Sequence, residues 1–324
     1  MEGRILVTGG AGFIGSHLVD SLIELGFEVV VFDNLTGGRR ENLSRWLHNP
    51  KLRFIQGDLL NQAEVLSLLD GCDLIYHLAA HPEVRVGSAD PSAHFRDNIQ
   101  ATFNLLEAIR LRGWRGRLVF TSSSTVYGEA ETPTPETYPI LRPISVYGAS
   151  KLACEALINA YARSYGFRAL IFRLANIIGP RSRHGVVADF IRKLEDNPEE
   201  LEILGDGTQK KSYLYVSDCV EALLLGLTES YTDILEVYNI GSIDQIEVLK
   251  IAKIVVEEMG LGSVRFRVTG GVDGGRGWIG DVKNMLLDTS KLRSKGWSPR
   301  YNSEQAVRRT VNEIIKQGQN KLKG

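Results

Sequence analysis

The fifteen residues Ile5–Val19, ILVTGGAGFIGSHLV, decide the fold. Ile5–Thr8 has the length and β-branching of a buried strand. The run breaks at Gly9-Gly10 and Gly12, after which apolar residues resume at helical spacing. The glycines fall as Gly10-x-Gly12-x-x-Gly15 and equally as Gly9-x-x-Gly12-x-x-Gly15. A glycine turn between strand and helix lets backbone approach a pyrophosphate with no Cβ in the way, and the first helical turn offers unpaired N–H groups. The plain alternative, a tight turn that only joins two elements, is answered by context. A second strand ends at Asp33, 18 residues past Gly15, where a carboxylate can accept hydrogen bonds from ribose hydroxyls.

The same rhythm continues outward. VVVF from Val29, LRFI from Leu52, DLIYHL from Asp73, RLVFTS from Arg117 and ALIFRL from Ala169 read as further short strands. Between them lie helical patterns at Ser92–Arg112, with Phe95, Ile99, Thr102 or Phe103, Leu106 and Ile109 on one stripe, and at Tyr147–Tyr165. Alternating strands and helices imply right-handed crossovers and an α/β doubly wound parallel sheet of Rossmann type. After Asn176 the rhythm loosens at Gly179-Pro180 and the basic RSRHG from Arg181. A helix near Val186–Glu195, a strand near Leu201–Leu204 and a helix from Ser217 follow, then a strand, EVYNIG, at 236–241 that is expected to return to the main sheet. The expected division is a dinucleotide domain over 1–176 and a smaller, discontinuous α/β substrate domain over 177–324.

Composition excludes several classes. Lys plus Arg number 38 against 39 Asp plus Glu, without the basic excess that phosphate-backbone binding brings, so nucleic acid is not an expected partner. Cys72, Cys154 and Cys219 are too few and too far apart for a disulfide framework, which points to a reducing compartment. No signal-peptide pattern and no apolar run of membrane length is present, so a cytoplasmic location is expected and a membrane partner is not. The histidines show no ligand spacing, and no metal is expected.

Tyr147 and Lys151 stand four apart in a helical pattern, within about 40° of one another on one face. A free tyrosine, with a pKa of about 10, is a poor base at neutral pH. A nearby ammonium and a positive nicotinamide are expected to favour its phenolate. Upstream, the fifth strand ends in the hydroxyl run Thr121–Ser124, where such sheets place ligands. Asp33 would repel a 2′-phosphate, which favours NAD over NADP, although Arg39 and Arg40 follow closely. Asp58-Leu59 is placed to meet an adenine edge or simply to form a turn.

Thr8–Val19, Asp33-Asn34-Leu35, His77-Leu78-Ala79-Ala80, TSSSTVYG at Thr121–Gly128, Pro143–Lys151 and Arg173-Leu174-Ala175-Asn176 together resemble the extended short-chain dehydrogenase/reductases, most of all their nucleotide-sugar 4-epimerases. The resemblance implies a tightly bound NAD+ cradled by Gly9, Gly12, Phe13, Ile14 and Gly15. Around it would lie Asp33, Asn34, Leu35, Gly38, Asp58, Leu59, Leu78, Ala79, Ala80, Asn98 and Ala175. It implies Tyr147 as base at the sugar 4-hydroxyl, Lys151 on the nicotinamide ribose and Ser123 on the sugar oxygen. The activity implied is UDP-galactose to UDP-glucose epimerisation through a 4-keto sugar. An N-acetylhexosamine 4-epimerase or a sugar-acid decarboxylase is the alternative, and a catalytically silent NAD-binding protein is the non-enzyme one.

On the substrate side, the resemblance places Asn176 at the nucleotide diphosphate, the strand Leu201–Leu204 against the uracil, and Lys211 in a phosphate-binding stretch, standing where an arginine is usual. An ammonium still neutralises phosphate but loses the two-pronged geometry. Arg276 in GRGWIGD is the compensating guanidinium, its spacing to Asp281 differing by two residues from the family pattern. Arg85 is a further candidate contact. Met285 falls at the family's size gate for the sugar C2 substituent. Ser124 and Thr125 replace the Asp-Glu pair of the related 4,6-dehydratases, so dehydration is not expected. The helices at Ser92–Arg112 and Tyr147–Tyr165 resemble a pair that makes a homodimer interface.

Overall fold

The structure, a computed structural model, describes residues 3–228 and 233–321. Residues 1–2 and 322–324, the ends of the two expected domains, lie outside the described residues. In chain order come β1 (Arg4–Thr8), α1 (Phe13–Glu24), β2 (Val29–Asp33), β3 (Leu52–Gln56), α2 (Gln62–Leu68) and β4 (Cys72–His77). Then follow α3 (Val86–Ala89), α4 (Pro91–His94), α5 (Ala101–Arg112), β5 (Arg117–Ser123), α6 (Val146–Tyr165) and β6 (Arg168–Leu174). After these come β7 (Asn176–Ile178), α7 (Val186–Asp196), β8 (Glu200–Ile203), β9 (Lys210–Lys211), β10 (Tyr213–Tyr215), α8 (Val216–Leu223) and β11 (Leu235–Ile240). The chain ends with β12 (Ile246–Glu247), α9 (Val248–Glu258), β13 (Arg265–Val268), β14 (Asn284–Met285), α10 (Ser290–Arg293) and α11 (Ser303–Lys321).

Seven strands form one sheet in the order β11-β6-β5-β4-β1-β2-β3. β1 pairs in parallel with both β2 and β4, and β2–β3 and β4–β5 are parallel as well. Every residue of β2 and of β5 is buried, as expected of strands covered on both faces, and this is why they read as unbroken apolar runs. From β3 at one edge the chain crosses back to set β4 on the other side of β1. The strand order therefore reverses between β1 and β4, and the carboxyl ends of these two strands border the crevice where doubly wound sheets bind ligands. The strand expected at 236–241 joins this sheet as β11.

The helix expected over Ser92–Arg112 is not continuous. Asp90 caps α4 by accepting from Ser92 N (3.1 Å), Phe95–Gln100 form a π-helical turn, and α5 follows. The wider turn rotates the stripe, leaving Phe95 58% and Phe103 37% exposed while Asn98, Thr102, Leu105, Leu106 and Ile109 face inward. A count at 3.6 residues per turn cannot register such an insertion.

The chain divides into two compact units. Unit 1 comprises Met1–Val126, Val146–Arg173 and Val220–Tyr238; unit 2 comprises Tyr127–Ser145, Leu174–Cys219 and Asn239–Gly324. Within unit 2, β9 lies between antiparallel β12 and parallel β14, which sets Lys211 beside Met285, and β8 pairs in parallel with β13. Asp218, fully buried, accepts from Arg300 N (2.8 Å) and Nε (2.9 Å), and its carbonyl accepts from Trp297 Nε1 (2.9 Å). Among the described residues no helix is long and apolar enough to cross a membrane.

Candidate active site

The glycine turn of unit 1 is built for close approach. Gly9 has φ +70°, and a Cβ there would lie 2.7 Å from Ala79 N, in the loop after β4. A Cβ on Gly15 would lie 2.2 Å from Gly9 O. The first helical residues thus press against the turn, and the loops leaving β1 and β4 meet at the reversal point. Gly12 is the N-cap of α1 and supplies no side-chain cap, so the first-turn amides of Phe13 and Ile14 have no helical partner. This is the cradle a pyrophosphate needs.

Asp33, at the end of β2, is buried, accepting from Ala11 N at Oδ2 (2.9 Å) and from Leu35 N at Oδ1 (2.8 Å). Burial raises its pKa against the pull of these two backbone bonds. Leu35 adopts φ +62°, and Gly38 passes against the Asp33 carboxylate. Asn34 Nδ2 donates to Asp58 Oδ2 (3.1 Å), which joins the loops after β2 and β3, and Leu59 is buried next to it. Arg40 stacks over Phe54 with its guanidinium 5.6 Å from the ring centroid. The residues present fit an adenine dinucleotide whose ribose meets a carboxylate.

After β4, Leu78 N donates to Thr8 O (3.1 Å), and Leu78, Ala79 and Ala80 are half-buried. Asn98, in the π-turn, has both ends of its amide engaged: Oδ1 accepts from His81 N (2.7 Å) and Nδ2 donates to Ser150 Oγ (2.8 Å). Sequence reasoning missed the polar line behind this loop. His77, with no exposed surface, has Nδ1 2.7 Å from Thr8 Oγ1 and Nε2 2.9 Å from Thr102 Oγ1. Burial and the Lys151 charge push its pKa down to about 3.

Ser123, Tyr147 and Lys151 come together in unit 1. The Ser123 hydroxyl hydrogen-bonds Tyr147 and also accepts from Thr125 Oγ1 (2.9 Å) and Thr125 N (3.2 Å). Lys151, 3% exposed, donates from Nζ to Thr121 O (2.9 Å), its ammonium 4.8 Å from the centroid of Phe120. The chain's own groups do not by themselves bring Tyr147 down. Burial pushes Tyr147 up to about 12, only partly opposed by the Ser123 hydrogen bond, and pushes Lys151 down to about 8. The ammonium hydrogen-bonds a strand carbonyl, and desolvation of the phenolate is the largest influence on the phenol. The Tyr147 ring packs edge-on against His94, with centroids 5.6 Å apart.

In unit 2 the candidate cations are already paired. Lys211 Nζ hydrogen-bonds Asp281 Oδ1, 3% exposed, and lies 5.4 Å from the centroid of Trp278. Arg276 donates from Nη2 to Glu129 Oε1 (2.7 Å). Asn176 Nδ2 donates to Ser212 O (3.1 Å), Leu204 O accepts from Gln209 Nε2 (2.9 Å), and Ala175 N donates to Ile240 O (2.8 Å). Met285 is buried, its carbonyl accepting from Ser212 N (3.0 Å). In unit 1, Arg85 is held by Glu83, with Nε 2.9 Å from Oε1. The acids Asp281, Glu129 and Glu83 went unnoticed as partners, and only for Glu83, two residues from Arg85, was there a local signal. Among the described residues no group of three or more His, Cys, Asp or Glu could hold a metal ion.

Comparison with known proteins gives a consistent result. Residues 5–241 match the model of the NAD dependent epimerase/dehydratase family. The chain is 36% identical over 316 residues to a putative UDP-glucose 4-epimerase of Methanocaldococcus jannaschii, covering 95% of this chain and 97% of the relative. It resembles a crystal structure of a UDP-galactose 4-epimerase with a TM-score of 0.86 and 46% identity, over 97% of this chain and 99% of that one. A UDP-glucuronic acid 4-epimerase from Bacillus cereus, solved with UDP-glucuronic acid and NAD, matches with a TM-score of 0.88 and 31% identity, over 97% and 99%.

Proposed function

The chain belongs to the NAD dependent epimerase/dehydratase family, and on that premise we propose that it interconverts UDP-galactose and UDP-glucose by inverting C4. The observation that carries this reading is the hydroxyl–phenol–ammonium set of Ser123, Tyr147 and Lys151 beside a phosphate cradle, with no carboxylate at Ser124 or Thr125. When bound, NAD would supply a hydride acceptor for C4, return that hydride to the other face of the 4-keto sugar, and add a positive ring charge that favours the Tyr147 phenolate. Tyr147 takes the 4-hydroxyl proton and gives it back. Ser123 holds the sugar oxygen, while Lys151 binds the nicotinamide ribose as a cation.

The cradle of Gly9, Gly12, Phe13, Ile14 and Gly15 holds the pyrophosphate of NAD and Asp33 its adenosine ribose. Asn34, Leu35, Gly38, Asp58, Leu59, Leu78, Ala79, Ala80, Asn98 and Ala175 line the rest of the cofactor. Lys211, Arg276 and Asn176 bind the diphosphate and Leu204 lies against the uracil, with Arg85 a further contact, and phosphate competes with Asp281 and Glu129 for the two cations. Met285, flexible and of intermediate size, admits hexoses and leaves room for a C2 substituent. Large apolar side chains left exposed on α5 and α6, Phe103, Leu111 and Tyr165, support a homodimer, which light scattering on the purified protein reads directly.

The test is incubation of the purified protein with a panel of UDP-, dTDP- and GDP-sugars, reading epimer ratio and carbon dioxide release. UDP-hexose epimerisation that stops in Tyr147→Phe while bound NAD is retained supports the reading. Activity indifferent to removal of NAD refutes the mechanism. Faster turnover of N-acetylated sugars, or decarboxylation of a sugar acid, reassigns the substrate within the same chemistry. Loss of nothing in Tyr147→Phe marks a binding protein.

A further inference from the structure

α6 presents three residues at successive turns, Tyr147, Lys151 and Glu155, and the end of β5 answers each. Ser123 hydrogen-bonds Tyr147, and Thr121 O accepts from Lys151. Between them, Ser122 Oγ donates to Glu155 Oε1 (2.5 Å). Arg173, near the end of β6, grips the same carboxylate with two prongs, Nε to Oε1 (3.0 Å) and Nη2 to Oε2 (2.7 Å). Ser122, Glu155 and Arg173 are each at most 5% exposed. Burying an ion pair is costly, and hydrophobic replacements of similar shape are often as stable, so stability alone is a weak account of this one.

We infer that Glu155 is a positioning residue for Lys151: clamped by Arg173 and Ser122 to the ends of two strands, its carboxylate supplies a fixed countercharge one helical turn beyond the ammonium. The inference rests on the reading of Lys151 as the cationic ribose ligand. The groups around Lys151 are His77 on β4, Phe120 and the Thr121 carbonyl on β5, and Cys154 and Glu155 on α6, with the Arg173 guanidinium of β6 paired to the Glu155 carboxylate. His77 is neutral at pH 7. Burial raises the Cys154 thiol, which therefore keeps its proton. Among these described groups Glu155 is left as the anion opposing the burial that would otherwise strip Lys151 of its proton. Arg173 serves a second purpose, because it spends its charge on Glu155 in bidentate geometry and so fixes where the carboxylate points.

The test is a titration of Lys151 in protein carrying 13C-labelled lysine, with and without NAD, its signal assigned by its loss in Lys151→Met. Glu155→Gln should lower the Lys151 midpoint by about one unit, a tenfold change in its ionisation constant. The alkaline fall in NAD affinity should move down by the same amount, and Glu155→Asp should restore part of both. Glu155→Gln leaves a buried guanidinium unpaired, whose charge adds to the lowering, so Glu155→Gln/Arg173→Met, which removes both charges, serves if the single variant does not fold, and its midpoint should lie between those of the single variant and the wild type. A wild-type midpoint in a folded variant of either kind overturns the inference, whatever happens to turnover. Absence of sugar turnover in the wild-type protein overturns the proposed activity and leaves this titration fully readable.

Discussion

His77 offers a sharp test of how the centre of the sheet is held together. The ring is enclosed, lies between the Thr8 and Thr102 hydroxyls, and sits in the field of Lys151, which together with burial brings its pKa from 6.5 in a free chain to about 3. Between those two values the unfolded chain binds a proton that the folded chain refuses. Stability therefore rises with pH through this window, is unaffected by this ring above pH 6.5, and is lost as pH falls below it. At about 1.36 kcal/mol per unit, two units of acidification to pH 4.5 cost about 3 kcal/mol from this single side chain. The assay is urea denaturation of the wild type and His77→Gln at pH 7.5 and 4.5, with the histidine ring followed by NMR. Glutamine keeps an amide between the two hydroxyls but cannot titrate. The variant should be the weaker protein at pH 7.5, and its loss on acidification should be smaller than the wild type's by about 3 kcal/mol. Equal losses, or a His77 ring that titrates near 6.5 in the folded protein, would refute the reasoning.

Gly15→Ala forces a Cβ to 2.2 Å from the Gly9 carbonyl, so the turn must open; NAD extracted from the purified variant should fall to background. Lys211→Met leaves Asp281 buried without its ammonium and should raise KM for a nucleotide sugar far more than it lowers kcat, as steady-state kinetics will show. Asp218→Ala strips the Arg300 backbone and side chain of their acceptor, at a cost of about 1–3 kcal/mol visible as a lower urea midpoint with NAD binding unchanged.

The parts legible in sequence were those written in local period. Apolar runs of four to six residues gave the strands, the spacing of Gly9, Gly12 and Gly15 gave the close-packed glycine turn, and the four-residue step from Tyr147 to Lys151 gave a shared helix face. What stayed hidden depends on partners far away in the chain. Nothing near Lys211 announces Asp281, seventy residues on, and nothing near Arg276 announces Glu129. The π-turn at Phe95–Gln100 was invisible because one extra residue leaves composition unchanged while rotating every side chain after it. Glu155 did continue the Tyr147–Lys151 step by four more residues, but its meaning needed Arg173 and Ser122. The charge state of Tyr147 required knowing how thoroughly the fold dries it, which no spacing records.

The position of β11 beside β6 has a consequence for how the protein is made. Six strands of the sheet have left the ribosome by Leu174, yet the seventh is not complete until Ile240. In the interval β6, buried from Ala169 to Leu174 in the finished molecule and apolar there except for Arg173, presents an unpaired row of backbone groups at the rim of a nascent sheet. Such a rim is a template for foreign strands. Translation that pauses in this window, or a chain cut within it, therefore exposes a sticky edge until the late strand arrives.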